Sequence, residues 1–450
     1  MAHALGRHLL LVGFMGAGKT TVGEEVAARL QRPFLDVDRE VEAAHGPIWD
    51  LFEKDGEAAF RELEAGFVRE SCGRREPSVI AVGGGAVETR GLLGECDALT
   101  VLLDVDVETA WERVRGSRRP LAQDEAEFRR RFERRRPLYD EVAEARATDA
   151  EGVVLAAAGI AFGPYREALG GAVVADRRVA ELYGIEATHL VDEKTLAEAE
   201  RAWRELTLDR SSTLVAVGGG TTTDLAGFVA ATYMRGIDWI AVPSTLVGQV
   251  DASIGGKTGV DLAEGKNLVG AFHWPDATRI DTTLLETLPA EERRNGLAEV
   301  VKTGLLAGEP YWELETKDQV RACAAYKAAV CLSDPREHGE RAHLNLGHTF
   351  GHALETASCN TIPHGRGVAL GLLAALRLSG LEEEARTVED VLEPEPVAVD
   401  RDAAWAALQR DKKATDGRVR LVLLDAPGAP RVTADVEPER VRAALDSLIA

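Results

Sequence analysis

Two groups of residues in this chain have the types and spacing to do chemistry, one in each half. The first is Gly13-Phe14-Met15-Gly16-Ala17-Gly18-Lys19-Thr20, placed directly after the apolar run Leu9–Val12. Glycines at this spacing, with a strand before and a helix after, let a loop wrap phosphate with backbone N–H groups. Lys19 then reaches the β and γ phosphates and Thr20 helps hold Mg²⁺. The second group lies between Gly218 and His364. His348 and His352 are one helical turn apart, and Glu299 and His364 lie on other segments of the same half. Two imidazoles and a carboxylate with one position open suit a catalytic Zn²⁺. The spacing alone leaves open which imidazoles those are.

The elements that must carry these residues follow from the apolar pattern. From residue 8 to about 150, short apolar runs alternate with amphipathic stretches. Leu9–Val12, Ser78–Val82 and Leu99–Leu103 read as buried parallel strands, and Thr20–Leu30 and Glu57–Arg69 as helices. This predicts an α/β domain with a doubly wound parallel sheet over residues 1–155. The arginine-dense stretch Arg113–Arg136 reads as a solvated helix face or, beside a phosphate site, a mobile lid. A second α/β part over 165–285 has Gly171–Ala175 and Leu214–Val217 as strands. A mostly helical part over 286–450 has helices at Ala290–Leu306, Tyr326–Leu332, Asn345–Thr356 and Val368–Leu378. A charged hinge at Leu381–Pro396, a strand at Val419–Leu424 and a helix at Pro438–Ile449 complete the reading.

Bulk properties narrow the function classes. The net charge of -22 over 450 residues argues against a nucleic-acid-binding face, while leaving room for small anionic ligands in a cleft. No stretch reaches the ~20 apolar residues that span a bilayer, and the N-terminus lacks a signal-peptide layout. Cys72, Cys96, Cys323, Cys331 and Cys359 form an odd set without a C-x-x-C pair. They read as reduced thiols of a cytoplasmic protein.

The first half resembles shikimate kinase across nearly its whole length. The resemblance rests on the phosphate loop, Asp36-Val37-Asp38, Phe60-Arg61-Glu62-Leu63-Glu64, Gly83-Gly84-Gly85, Arg118-Arg119-Pro120-Leu121 and Arg135-Arg136-Pro137-Leu138-Tyr139. It implies ATP bound by Gly16, Ala17, Gly18, Lys19, Thr20 and Thr21, with Arg119 in a lid. It implies Mg²⁺ near Thr20 and Asp36, and shikimate held by Asp38, Arg61, Gly84 and Arg135. Lys19 and Asp38 are the catalytic pair: Asp38 orients or deprotonates the attacking hydroxyl, and Lys19 stabilises the transferring phosphoryl. The family's last helix is not legible after Thr148-Asp149.

From about Val173 to Leu424 the chain resembles 3-dehydroquinate synthase. The carriers are Gly218-Gly219-Gly220, Asp224–Phe228, Tyr233–Gly236, Pro243–Leu246, Asp251–Gly259, Gly265–Leu268, Gly296–Lys302 and Asn345–His352. The resemblance implies Zn²⁺ (or Co²⁺) on Glu299, His348 and His364. NAD would use Asp176, Lys194, Gly219, Gly220, Thr221, Asp224, Ser244, Thr245, Lys266, Thr287 and Asn295. The substrate, 3-deoxy-arabino-heptulosonate 7-phosphate, would meet Arg235, Asp251, Lys257, Asn267, Lys327, Arg341, Asn345, His352 and either Lys412 or Lys413. Lys257, Lys302 and His352 are the catalytic residues. The implied reaction is transient oxidation, loss of phosphate, reduction, ring opening and aldol closure to 3-dehydroquinate. Homodimerisation through this half is a further implication.

The sequence departs from that family at Thr221-Thr222-Thr223, at Arg366-Gly367, in a shortened start over Ile160–Val173 and in a missing glycine before Lys194. The expected protein is a bifunctional enzyme of aromatic biosynthesis. The alternatives are one degenerate half serving regulation or assembly, or a second half that is another sugar-phosphate cyclase or a polyol dehydrogenase. The many Lys and Arg groups suited to phosphate disfavour the dehydrogenase.

Overall fold

A computed structural model describes residues 3–117, 119–263, 265–410 and 419–450. Lys412 and Lys413, the candidates for a substrate contact, lie outside the described residues. The chain divides into two compact units, Met1–Ala161 and Phe162–Ala450.

The first unit is built on a five-stranded parallel sheet, ordered Phe34–Asp36, Val79–Ala81, His8–Val12, Ala98–Leu103, Ala145–Ala147. His8–Val12 is central and buried at every position, as a strand covered on both faces must be. Beyond its C-terminal end the chain turns into the helix Lys19–Leu30. Phe14 anchors this turn, its ring edge-on to Phe128 and Phe132 at 5.0 Å each.

Several expectations change in this unit. The helix read as Glu57–Arg69 runs from Ile48 to Cys72, kinked at Gly56 (φ 82°). The last helix, illegible in sequence, is present at Ala150–Ala157, capped by Asp149 accepting from the Gly152 N–H at 2.7 Å. Its Val153–Ala157 run is buried all round, so it has no amphipathic period to read. The arginine-rich stretch holds the helix Glu125–Val142, in which Arg131 and Arg135 are buried. The expectation of five separate thiols also fails. Cys72 ends the long helix, Cys96 precedes the strand Ala98–Leu103, and the fold brings their Cα atoms to 5.3 Å, joined by a disulfide.

The sheet of the second unit is ordered Ala277–Ile280, Asp238–Pro243, Thr213–Gly218, Ala172–Asp176, His189–Val191. Its pairings from Ala277–Ile280 to His189–Val191 are parallel. An antiparallel hairpin, Lys257–Leu262 with Gly265–Phe272, stands beside it. Helices follow at Ala290–Ala307, Thr316–Ser333, His348–Ala357 and His364–Ser379. Asn345 is not helical as expected; it closes the 3-10 turn Glu340–Asn345.

His348–Ala357 and His364–Ser379 pack at backbone distance. A Cβ on Gly347 would lie 2.9 Å from the Leu372 nitrogen, and one on Gly371 would run into the Gly347 carbonyl. The stretch read as a hinge forms the helix Glu382–Leu392, whose Ala385 and Val388 are buried in the same core as Leu370 and Phe350. The strand expected at Val419–Leu424 runs Leu421–Ala426; its hairpin partner Ala429–Thr433 and a further helix, Arg401–Arg410, were not anticipated. Among the described residues no helix is long and apolar enough to cross a membrane.

Candidate active sites

In the first unit the phosphate loop bends through three positive-φ glycines, Gly13 (154°), Gly16 (87°) and Gly18 (89°). At Gly16 a side chain is excluded twice over, since its Cβ would also lie 2.5 Å from the Ala110 carbonyl. The Ala17 N–H bonds back to Phe14 O at 3.1 Å, and Thr21 is exposed on the first helical turn. Lys19 donates to the carbonyls of Gly13 (2.8 Å) and Phe14 (3.3 Å). Burial pulls its pKa down to about 8, against the opposing pull of Asp38. Thr20 donates to Asp36 at 2.6 Å, placing a hydroxyl and a carboxylate together beside the loop. A lysine whose partners are loop carbonyls, at a helix N-terminus beside a Thr–Asp pair, fits a nucleotide phosphate with Mg²⁺.

Asp38 sits two residues past Asp36, and burial raises its pKa while Lys19 opposes the rise. The glycine triplet leaves the space that gathers the other groups. A Cβ on Gly83 would lie 2.7 Å from Asp38 Oδ1, and one on Gly85 would run into the Arg61 guanidinium. Gly84 O accepts from Arg135 (3.1 Å) and from the Tyr139 hydroxyl (2.5 Å). Arg61 pairs with Glu64 at 2.6 Å and Glu57 at 3.0 Å, and Arg135 with Glu88 at 2.5 Å. Asp38, Arg61 and Arg135 thus gather around Gly83-Gly84-Gly85. Arg119 is exposed, and its charge acts on both Lys19 and Asp38.

In the second unit the donor set resolves the open choice among imidazoles. Glu299, fully buried, lies 3.2 Å from His364 Nε2 and 3.5 Å from His348 Nε2. One ligand atom from each of the three lies within 4.8 Å of the others. His352 flanks the set, its ring 5.3 Å from His348 and 6.2 Å from His364. Burial drives His348 well below the ordinary histidine value, with Lys302 adding to the effect. A neutral imidazole, a carboxylate and a second imidazole on three different helices fit a divalent metal. Burial also works against charge on His364, but its hydrogen bonds to Glu299 and Glu355 outweigh this and hold it up at about 10.

Basic groups ring this set. Lys302 pairs with Glu299 and lies 3.6 Å from Asp251, which Lys327 meets at 2.7 Å. Burial opposes the charge of Lys302, yet these two carboxylates raise its pKa above the lysine value. Lys257 pairs with Glu337 at 2.5 Å, and Asn345 donates to the same carboxylate at 3.0 Å. Arg341 is buried and donates to Gly255 O and Pro335 O, 2.8 Å each. Two expected contacts fall elsewhere. Asn267 accepts from Lys194 (2.7 Å), among residues assigned to the dinucleotide. Arg235 lies on an exposed turn at φ 72°, with no hydrogen bond or ion pair to the cluster among the described residues.

The residues expected to meet a dinucleotide gather at the sheet's C-terminal edge, where open α/β sheets bind ligands. Asp176 caps a helix through the Val179 N–H (3.0 Å), Gly219 caps Gly220–Thr232, and Thr221 lies in its exposed first turn. Thr245 accepts from the Gly248 N–H at 3.0 Å. Lys194 donates to Asp224 at 2.6 Å, and Thr287 meets the Tyr183 hydroxyl at 2.6 Å. Lys266 lies 3.7 Å from Glu355, and Asn295 faces Glu292 at 3.5 Å. The hydroxyls of Thr222 and Ser244 are buried without hydrogen-bond partners. Orphaned hydroxyls beside a glycine-opened helix N-terminus fit a pyrophosphate.

Comparisons with known proteins agree with this geometry. Residues 186–295 match the family described as 3-dehydroquinate synthase N-terminal, and residues 296–414 its C-terminal counterpart. A 3-dehydroquinate synthase of Pseudomonas fluorescens is 41% identical over 320 residues, which cover 61% of this chain and 87% of that protein. The chain belongs to the 3-dehydroquinate synthase family. Residues 15–158 match the shikimate kinase family, so a shikimate kinase domain and a 3-dehydroquinate synthase follow one another in a single bifunctional chain. Among solved structures, a 2-epi-5-epi-valiolone synthase from Streptomyces hygroscopicus with NAD⁺ and Zn²⁺ bound has a TM-score of 0.53 and 26% identity, covering 64% of this chain and 96% of that one. A shikimate kinase of Acinetobacter baumannii in complex with shikimate is 40% identical, covering 31% of this chain and 82% of that one, at a TM-score of 0.30.

Some site residues escaped the sequence reading. In the kinase unit these are Glu64, Glu57, Glu88 and Tyr139, which hold Arg61, Arg135 and Gly84. Glu64 and Glu57 carry a local signal, the i,i+3 and i,i+4 ion pairs with Arg61. In the synthase unit Glu337 was missed; its positive φ of 59° marks it, and sequence does not reveal that.

Proposed function

We propose that the kinase unit transfers the γ-phosphoryl of ATP to shikimate, giving shikimate 3-phosphate. Asp38 accepts the proton of the attacking hydroxyl, and its burial raises its basicity for that task. Lys19 and Arg119 meet the charge on the transferring phosphoryl, while Arg61 and Arg135 grip the shikimate carboxylate through forked guanidinium bonds. Thr20 and Asp36 hold Mg²⁺, which neutralises phosphate charge. ADP leaves as the new P–O bond forms.

In the synthase unit, Glu299, His348 and His364 hold Zn²⁺ or Co²⁺, and NAD lies against Gly219–Thr221, Asp224, Ser244, Thr245 and Lys266. When bound, the metal polarises a secondary alcohol of the substrate, and NAD takes up and later returns its hydride. Lys257, Lys327 and Arg341 hold the anionic groups of 3-deoxy-arabino-heptulosonate 7-phosphate, with Asn345 orienting Lys257 through Glu337. His352 moves protons at the substrate hydroxyls, and Lys302 keeps its charge beside the reacting carbons. The C–H acidified by the transient ketone loses its proton as phosphate departs with the C–O bond electrons; once the hydride is returned, ring opening and an aldol closure yield 3-dehydroquinate.

The observation that carries this reading is the convergence of Glu299, His348 and His364 beside the buried Lys302, with Lys302 and Lys327 both meeting Asp251. The test is phosphate release from 3-deoxy-arabino-heptulosonate 7-phosphate with NAD⁺ and Zn²⁺ and without ATP. Release abolished in Lys257→Ala, with dehydroquinate as product, is expected. A different carbocycle would favour another sugar-phosphate cyclase, a reading that the likeness to 2-epi-5-epi-valiolone synthase keeps in view. The synthase unit also forms a homodimer in this proposal, and a monomeric mass by light scattering at micromolar concentration would reject that part.

A further inference from the structure

His348, His352 and Glu355 recur at i, i+4 and i+7 along His348–Ala357 and so share one face of that helix. The two histidines belong to the site already described; Glu355 enters it only through its hydrogen bond to His364. Its side chain is buried, at 4% exposure. One carboxylate oxygen lies 2.9 Å from His364 Nδ1, and the other lies 3.7 Å from Lys266 Nζ. Its place is shaped by the neighbouring helix: a Cβ on Gly367 would stand 3.2 Å from Glu355 Oε1 and 3.4 Å from its Cγ. His364 is therefore held at both ring nitrogens, Nδ1 by Glu355 and Nε2 facing Glu299 at 3.2 Å.

We propose that Glu355 is a positioning residue for the metal centre. By accepting the Nδ1–H of His364 it fixes the tautomer in which Nε2 carries the lone pair, and it aims that nitrogen at the space shared with Glu299 and His348. Lys266 balances the charge on the remaining oxygen. This rests on the metal set proposed above. The arrangement is a carboxylate–histidine–metal relay, in which the outer carboxylate sets ring orientation and ligand basicity.

The test is zinc affinity of the full chain, measured by competition with a chromophoric chelator, for wild type, Glu355→Ala, Glu355→Gln and His364→Ala. Circular dichroism and the melting curve check folding, and kinase turnover checks the amount of intact chain. Glu355→Ala is expected to bind zinc ~10–100-fold more weakly. Glu355→Gln, which keeps the shape but loses the carboxylate charge, should fall between it and wild type. If Glu355→Ala does not fold, Glu355→Gln carries the test by itself. A folded Glu355 variant binding zinc as tightly as wild type overturns the proposal. If His364→Ala also binds zinc as wild type does, the metal set itself is wrong; if only His364→Ala loses zinc, the metal set stands and the role of Glu355 falls.

Discussion

Lys19 shows how one residue's surroundings set a measurable property. Buried at the mouth of the phosphate loop, it has a pKa of about 8 in the free enzyme. ATP phosphates favour the ammonium form, so binding restores the proton. Below pH 8 the ammonium is already present and ATP affinity should be flat. Above pH 8 the ammonium fraction falls, and the KM for ATP should rise by up to about tenfold per pH unit. Calorimetry in buffers of different ionisation enthalpy should show proton uptake on ATP binding at pH 8.5; its absence there would mean that Lys19 is not depressed. Residues of this kind were legible because their motif ties type to spacing. Glu64, Glu337 and Glu355 were not, because a lone carboxylate carries its meaning only through what the fold brings to it.

Among elements, legibility followed amphipathic contrast. Strand His8–Val12 and helix Lys19–Leu30 could be read because one is uniformly apolar and short and the other alternates. Ala150–Ala157 has too few polar positions to show a period, and Glu382–Leu392 too few apolar ones, since only Ala385 and Val388 are buried. Helix pairing is invisible to periodicity. The approach of His348–Ala357 to His364–Ser379 depends on glycines at 347, 351 and 371, where a Cβ would meet the facing backbone at 2.9 Å or closer. These two helices bring His348 and His364 to one point. Gly371→Ala should therefore destabilise the synthase unit by about 1–3 kcal/mol through overpacking. It should also weaken zinc binding, though residue 371 touches no ligand. Denaturant unfolding and zinc titration check both effects; a variant with wild-type zinc affinity would show that the helix spacing does not set the metal geometry.

At the scale of the whole molecule, the two units have separate cores and separate chemistries. The buried cluster around Phe14, Phe128 and Ile80 belongs to the kinase, and that around Phe350, Leu370 and Leu423 to the synthase. Each site draws its named residues from one unit alone, so metal removal should separate the two activities. Dialysis against a strong chelator should abolish both. Added Mg²⁺ should restore shikimate phosphorylation, because Thr20 and Asp36 offer only oxygen ligands. Phosphate release should return only with Zn²⁺ or Co²⁺, because two of its three ligands are imidazoles. Zinc should also raise the melting temperature of the stripped protein, since a ligand that binds only the native state stabilises it by RT ln(1 + [L]/Kd). That gain should vanish in His348→Ala, while kinase turnover in the same variant stays at the wild-type level. Recovery of phosphate release with Mg²⁺ alone would instead mean that the synthase metal is held as an oxygen-ligated ion, and the histidines would need another role.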